Sequence, residues 1–197
     1  MSKTVEFYFD FGSPAAYLAY TQLPKIAANA GAQIVWKPFL LGGVFKATGN
    51  ASPVTVPAKG KWMMGDLKRY AQRYGVPFAT PPGFPLNTLA LMRGAVGLQM
   101  REPGRFAPYV DAMFKAMFCE ACDMADPATM ARKLAEAGLD PQAFQALIGD
   151  PEVKQALIAT TEEAVSRGAF GAPTIFVGKE MFFGQDRLEF VAEALRH

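Results

Sequence analysis

Residues 5–18 read VEFYFDFGSPAAYL. The first five are mostly aromatic or β-branched, the composition of a strand. Gly12 breaks that run, and Ser13-Pro14 follow in the order that begins a helix, with an oxygen at the cap and a proline in the first turn. A strand running straight into a helix N-terminus leaves unpaired amides at the junction, and such amides favour an anion. The Ser13 hydroxyl can therefore serve as a plain cap, or as a cap that also faces a bound thiolate or phosphate.

Working outward, residues 14–30 read as a helix closed by Gly31, with Pro24 expected to kink or shift one turn. IVWKPF, from Ile34, has strand character again, which completes a β-α-β unit with a right-handed crossover and parallel strands. Residues 40–60, LLGGVFKATGNASPVTVPAKG, are rich in Gly, Pro, Ser and Thr and are expected to form a long irregular connection. Loops longer than about 12–15 residues are uncommon unless they bind something, so this stretch is a candidate ligand wall.

Helical patterns follow over 61–74, ending at Gly75, then over 86–100 and 105–118. In the last of these Phe106, Tyr109, Val110, Met113, Phe114 and Met117 recur at helical spacing. Asp126-Pro127, Asp140-Pro141 and Asp150-Pro151 each read as a cap plus a first-turn proline and start three more helices, the last reaching about Arg167. Strand character returns in PTIFV, 173–177, and EMFF, 180–183, around a Gly178-Lys179 turn. A helix over 187–196 closes the chain, and Asp186 with Glu189 has the spacing of a capping box.

The order is β-α-β, then helices, then β-β-α. Neither end has enough strands to hold a core alone, whereas together they make a mixed sheet of four. The expected architecture is an α/β domain built from residues 1–39 and 168–197, with the connection and an all-helical domain, 40–167, inserted in its middle.

The formal charge is +2, from 20 basic and 18 acidic residues. That balance argues against a nucleic-acid footprint. No apolar run reaches the roughly 18 residues of a spanning helix, and the N-terminal residues do not read as an export signal, so a cytoplasmic protein is expected. The sole histidine is His197, the last residue. Read as a chain end and not as a base, it argues against almost every Ser-His-Asp or Cys-His mechanism and against a histidine-based metal site.

The arrangement, with a proline immediately before the third strand, resembles the thioredoxin fold. FDFGSPAAYLA, FLLGGVFKATGN, VPAKGKWMMGDLKRY, GAFGAPTIFVG and FFGQDRL resemble the 2-hydroxychromene-2-carboxylate isomerase family, whose relatives are the kappa-class glutathione transferases and the disulfide oxidoreductases with a helical insertion. Redox members of that fold start the first helix with Cys-x-x-Cys. Ser13, Pro14, Ala15 and Ala16 stand there in this chain and cannot form a disulfide.

The resemblance implies that glutathione is the cofactor and that Ser13 contacts its sulfur and keeps it ionised. A free thiol has a pKa of about 8.5, so both the helix end and a donor would have to favour the thiolate. It further implies a cis Pro173, with Ala172 offering its backbone to the cysteinyl part of the tripeptide. Asp186 is implied to hold the γ-glutamyl ammonium, with Gln185 beside it, and Asn50 and Lys59 to reach the carboxylates and backbone. Trp62 and Phe84 could wall an aromatic substrate, although packing is the alternative for each, and Lys46 and Arg93 are candidates for its carboxylate by charge.

The implied reaction interconverts 2-hydroxychromene-2-carboxylate and trans-2-hydroxybenzylidenepyruvate, with a small aromatic carboxylate as substrate and a homodimer as the assembly. Ala15 and Ala16 replace the aromatic and hydroxyl residues usual after the serine-proline pair, so one family contact to substrate can be missing. Two alternatives stay open. One is a glutathione transferase or a non-catalytic glutathione-binding protein. The other is a dithiol oxidoreductase using Cys119 and Cys122, although CEAC falls where a helix should end and not after a strand, which favours packing.

Overall fold

The computed structural model describes residues 3–196; His197 lies outside them. Strands β1 (Thr4–Phe9), β2 (Gln33–Pro38), β3 (Thr174–Val177) and β4 (Glu180–Phe183) form one sheet in the order β2-β1-β3-β4. β1 runs parallel to β2 and antiparallel to β3, and β3 is antiparallel to β4. Phe7 sits opposite Trp36 on one side and Ile175 on the other, so β1 is the central strand that joins the two chain ends.

Alternation along β1 decides what each face meets. Val5, Phe7 and Phe9 belong to a large core with Phe11, and this core also takes in Leu18, Leu23, Leu188 and Val191. Tyr8 points the other way, into a smaller core with Phe39, Val44, Ala164, Ala172 and Phe176. Complete burial of a phenylalanine is worth about 1.5–3 kcal/mol, so Phe7, Phe9 and Phe11, each fully buried, anchor the sheet to its helices.

Helix α1 (Pro14–Asn29) lies on the first face and passes through Pro24. The helical region comprises α2 (Leu41–Thr48), α3 (Pro57–Tyr74), α4 (Leu89–Arg101), α5 (Pro103–Phe118), α6 (Pro127–Glu136), α7 (Pro141–Gly149) and α8 (Pro151–Ser166), with α9 (Leu188–Ala194) closing the fold. Asp126, Asp140 and Asp150 cap α6, α7 and α8 as their Asp-Pro pairs predict, each accepting backbone amides of the first turn. Gly31 (φ +63°) and Gly75 (φ +67°) end α1 and α3 in the left-handed region, where a side chain would be strained. The six stripe residues from Phe106 to Met117 on α5 are all buried.

Two expectations need correction. Residues 40–60 are not one irregular connection: α2 occupies Leu41–Thr48, a 3-10 turn spans Pro53–Thr55, and α3 begins at Pro57. Gly42 and Gly43 weaken local helix propensity and α2 has no local side-chain cap. Its first amide, that of Leu41, is instead held by Asp10 Oδ2 at 2.7 Å, and the Leu40 amide by Thr161 Oγ1 at 3.0 Å. The capping box at the last helix is also absent. Gln185–Arg187 form a 3-10 turn, α9 starts at Leu188 with no side-chain cap, and the Asp186 carboxylate pairs with Arg187 Nη1 at 2.6 Å.

Behind the sheet, α8 is tied on by polar groups. Glu163 accepts from the Tyr8 hydroxyl (2.9 Å) and from Lys37 Nζ (3.1 Å), while Arg167 reaches Glu6 and the Tyr8 oxygen. Thus α8, although it is drawn from the helical region, covers the same sheet face as α2. No described helix is long and apolar enough to cross a membrane.

Candidate active site

Chain reversal after β1 fixes the position of Ser13. The Ser13 amide donates to the Asp10 carbonyl at 3.0 Å, and Ser13 takes an extended conformation (φ −107°, ψ 109°) before Pro14 starts α1. Its Oγ accepts the Ala16 amide at 3.1 Å and donates its proton to the Ala172 carbonyl at 2.9 Å. The side chain is almost wholly buried, so its cap role is filled and its one proton is committed to the neighbouring loop.

That loop comes from the far end of the sequence. The Ala172–Pro173 peptide is cis, as the resemblance implies. The Pro173 carbonyl accepts the Gly184 amide at 3.1 Å, which fastens the 3-10 turn carrying Gln185 and Asp186 to the same spot. Asn50, just past α2, donates from Nδ2 to the Phe170 carbonyl at 2.8 Å and steadies the segment before the proline. Hydrogen bonds therefore tie Ser13 to Ala172, Asn50 to the segment just before Ala172, and Pro173 to Gly184, the residue that leads into Gln185 and Asp186.

Gln185 is buried, its carbonyl accepts from the Tyr74 hydroxyl at 2.7 Å, and with Asp186 it edges a cavity of about 300 Å³ against Tyr70, Arg73 and Tyr74. Burial pushes the Tyr74 phenol up to about 12, which keeps it a neutral donor. Lys59 lies exposed in the first turn of α3, with Trp62 one turn on and two-thirds exposed, so Trp62 does not pack against the helices. Phe84 does pack, with its ring 6.4 Å from that of Phe118. Lys46 and Arg93 line a different cavity, whose walls include neither Ser13 nor Ala172.

Asp10 is the residue that sequence reading missed. It is fully buried, with Oδ1 accepting the Gly12 amide (2.8 Å) and the Thr88 hydroxyl (2.6 Å) and Oδ2 accepting the Leu41 amide. One carboxyl group thus joins the loop before Ser13 to the starts of α2 and α4. Burial pushes it above the ordinary carboxylate range, against the pull of Thr88, Gly12 and Leu41. A lone acid in the apolar run FYFDFG was the available signal, because a charge with no local partner there must find its donors elsewhere.

Cys119 caps the C-terminal end of α5, the carbonyl end, opposite in polarity to the amide end of α1. Its sulfur lies 3.2 Å from the Tyr17 hydroxyl, which itself donates to the Pro77 carbonyl at 2.7 Å. Among the described residues no His, Cys, Asp and Glu side chains cluster as a metal site would require.

Residues 4–196 match the family model described as the DSBA-like thioredoxin domain. The chain belongs to that family. A 2-hydroxychromene-2-carboxylate isomerase of Sphingobium xenophagum is 32% identical over 99% of both chains. Glutathione S-transferase kappa 1 of Homo sapiens is 28% identical over 99% of this chain and 92% of its own. A solved 2-hydroxychromene-2-carboxylate isomerase superposes with a TM-score of 0.85 at 31% identity, covering 98% of this chain and 94% of that one. Within the DSBA-like family the chain is closely related to these isomerases and kappa-class transferases. The relation supports an isomerase-type catalytic fold.

Proposed function

We propose that the protein is a glutathione-dependent isomerase interconverting 2-hydroxychromene-2-carboxylate and trans-2-hydroxybenzylidenepyruvate, or a related pair from aromatic breakdown. The observation that carries the proposal is the meeting of the Ser13 hydroxyl, at the amide end of α1, with the carbonyl of Ala172 just before β3, where no protein thiol stands. The relatives named above support the choice of reaction. The protein is expected to work in the cytoplasm as a homodimer on a small aromatic carboxylate.

Glutathione fits the residues present. A thiolate suits the amide end of α1, the Ala172 backbone offers an edge to an extended peptide, and the part-exposed Asp186 carboxylate suits an ammonium. Asn50 and Gln185 add further polar groups on the segments beside Ala172 and Asp186, and Lys59 is expected to reach a carboxylate of the tripeptide from α3. When bound, the tripeptide supplies a thiolate for reversible addition to the conjugated carbon of the substrate, which turns a double bond into a rotatable single bond.

Ser13 is the catalytic residue, and it serves the sulfur by turning its O–H away from the Ala172 carbonyl. Its Oγ need not move, because the Ala16 amide continues to bond to a lone pair. The oxygen is thus held in place before the anion arrives, and rotation of the O–H alone makes it a donor of the oxyanion-stabilising kind. Neither a histidine base nor a protein cysteine is needed.

The test is glutathione-dependent turnover of 2-hydroxychromene-2-carboxylate, followed by its absorbance. Wild type is expected to isomerise it, and Ser13→Ala to turn over about 10²-fold more slowly while folding normally. Equal rates in both proteins would remove Ser13 from the mechanism. Conjugate accumulation in place of isomer would favour the transferase reading.

A further inference from the structure

A cavity of about 510 Å³, with no wall from Ser13, lies between α2, α4 and α8 and falls within the size range of small-ligand sites. Leu40, Leu89, Leu157, Ile158 and Val165 give it apolar walls. Lys46 from α2, Arg93 from α4 and Lys154 from α8 face the same space, against a single acid, Glu162. Arg93 and Lys154 are half-buried, and among the described residues none of the three cations is within ion-pair distance of a carboxylate. Three elements therefore bring unneutralised cations to one apolar cleft, where partial desolvation makes a missing anion costly. Arg101, on the same helix as Arg93, by contrast pairs with both Asp150 and Glu152.

We propose that this cleft is a second binding site, for a small amphipathic carboxylate whose apolar body lies on the leucine and isoleucine wall and whose acid group meets Arg93, Lys154 and Lys46. A phosphate-like ion would leave the apolar wall unused, and a neutral hydrocarbon would leave the cations unpaired. The site has a route to Ser13. Leu40 and Leu89 in its wall each adjoin a residue, Leu41 and Thr88, that donates to Asp10, and Asp10 holds the Gly12 amide. The proposal does not rest on glutathione.

The experiment is calorimetric titration of the full-length protein with 2-naphthoate and with neutral 2-naphthamide. Comparison proteins are Lys154→Gln, Arg93→Gln with Lys154→Gln, and Lys59→Gln on α3, which does not line the cleft. The expected result is binding of naphthoate, with the amide weaker by on the order of tenfold or more, since a hydrogen bond to a charged group is worth about 1.5–3 kcal/mol. Each cleft substitution should weaken naphthoate by about the same factor, and Lys59→Gln should leave it unchanged. Equal affinity for acid and amide would overturn the proposal, as would loss in Lys59→Gln but not in the cleft variants. Sedimentation is run in parallel: a dimer that dissociates in the cleft variants would assign the face to a second copy of the chain and also overturn it. Lys154→Gln alone, which changes one half-buried side chain that makes no ion pair among the described residues, keeps the test decisive if the double variant folds poorly.

Discussion

Replacing Asp10 with asparagine tests how the site is held together. In the wild type, three donors converge on one carboxyl group: the Gly12 amide and Thr88 hydroxyl on Oδ1, and the Leu41 amide on Oδ2. A protonated aspartate can satisfy all of them if Thr88 turns to accept, since both carboxyl oxygens keep a lone pair for a backbone amide. Asparagine cannot, because its NH2 accepts nothing, so the amide of Gly12 or of Leu41 is left buried and unpaired. One such orphan costs about 1–3 kcal/mol. At about 2–4 °C per kcal/mol for a chain of this size, a loss of about 2 kcal/mol lowers Tm by about 4–8 °C.

The pH dependence follows from the raised pKa of Asp10 in the folded protein. Unfolded, the group titrates at about 3.9. Its contribution to stability is then complete below that pH and declines as the pH rises through the higher folded value. Asparagine does not titrate, so the gap between wild type and Asp10→Asn should be widest in acid and narrow towards neutrality. Urea unfolding at a series of pH values, with unchanged m, measures it. A gap that widens as the pH rises would refute the reasoning, because the three donors would then favour the anion by more than burial disfavours it.

Three further outcomes are expected. Thr88→Val keeps the shape but removes one donor from Oδ1; chemical denaturation should show a loss of about 1.5–3 kcal/mol, and a loss below 0.5 would mean that Gly12 and Leu41 suffice. Burial works to raise the Glu163 carboxyl, but the Tyr8 hydroxyl and Lys37 hold it below the ordinary range. The stability it adds above its unfolded pKa of about 4.3 is therefore lost as the pH falls through the folded value, and Glu163→Gln should show a shallower acid decline in thermal melts. At Gly94 an added Cβ would lie 2.5 Å from Phe144 Cζ and 2.7 Å from the Tyr109 hydroxyl, which itself bonds to the Leu91 carbonyl. Gly94→Ala should cost about 1–3 kcal/mol from overpacking despite its better helix propensity, and an unchanged Tm would show that Phe144 can move aside.

Much of the fold was legible because its signals are local. The alternation of Val5, Phe7 and Phe9, the Asp-Pro caps and the closing glycines each act within a few residues. What was not legible depends on distant partners. Helix α2 reads as loop because its capping acceptor, Asp10, lies 31 residues upstream. The Asp186–Glu189 spacing fits a capping box, yet Asp186 pairs with its neighbour Arg187, and a 3-10 turn precedes the helix. At the site, motif resemblance named residues that the fold gathers, Ser13 with Ala172 and Pro173 with the Gly184 turn. Charge alone named Lys46 and Arg93, and these the fold gathers elsewhere.

In the proposed reaction the amide end of α1 and the Ser13 hydroxyl keep a bound tripeptide sulfur ionised. The ultraviolet absorbance of the thiolate, titrated with pH for glutathione bound to wild type and to Ser13→Ala, measures that directly. The wild-type midpoint is expected well below the free-thiol value of about 8.5, moving back towards it in Ser13→Ala. A bound thiol that titrates like free glutathione, or glutathione that does not bind at millimolar concentration, would contradict it.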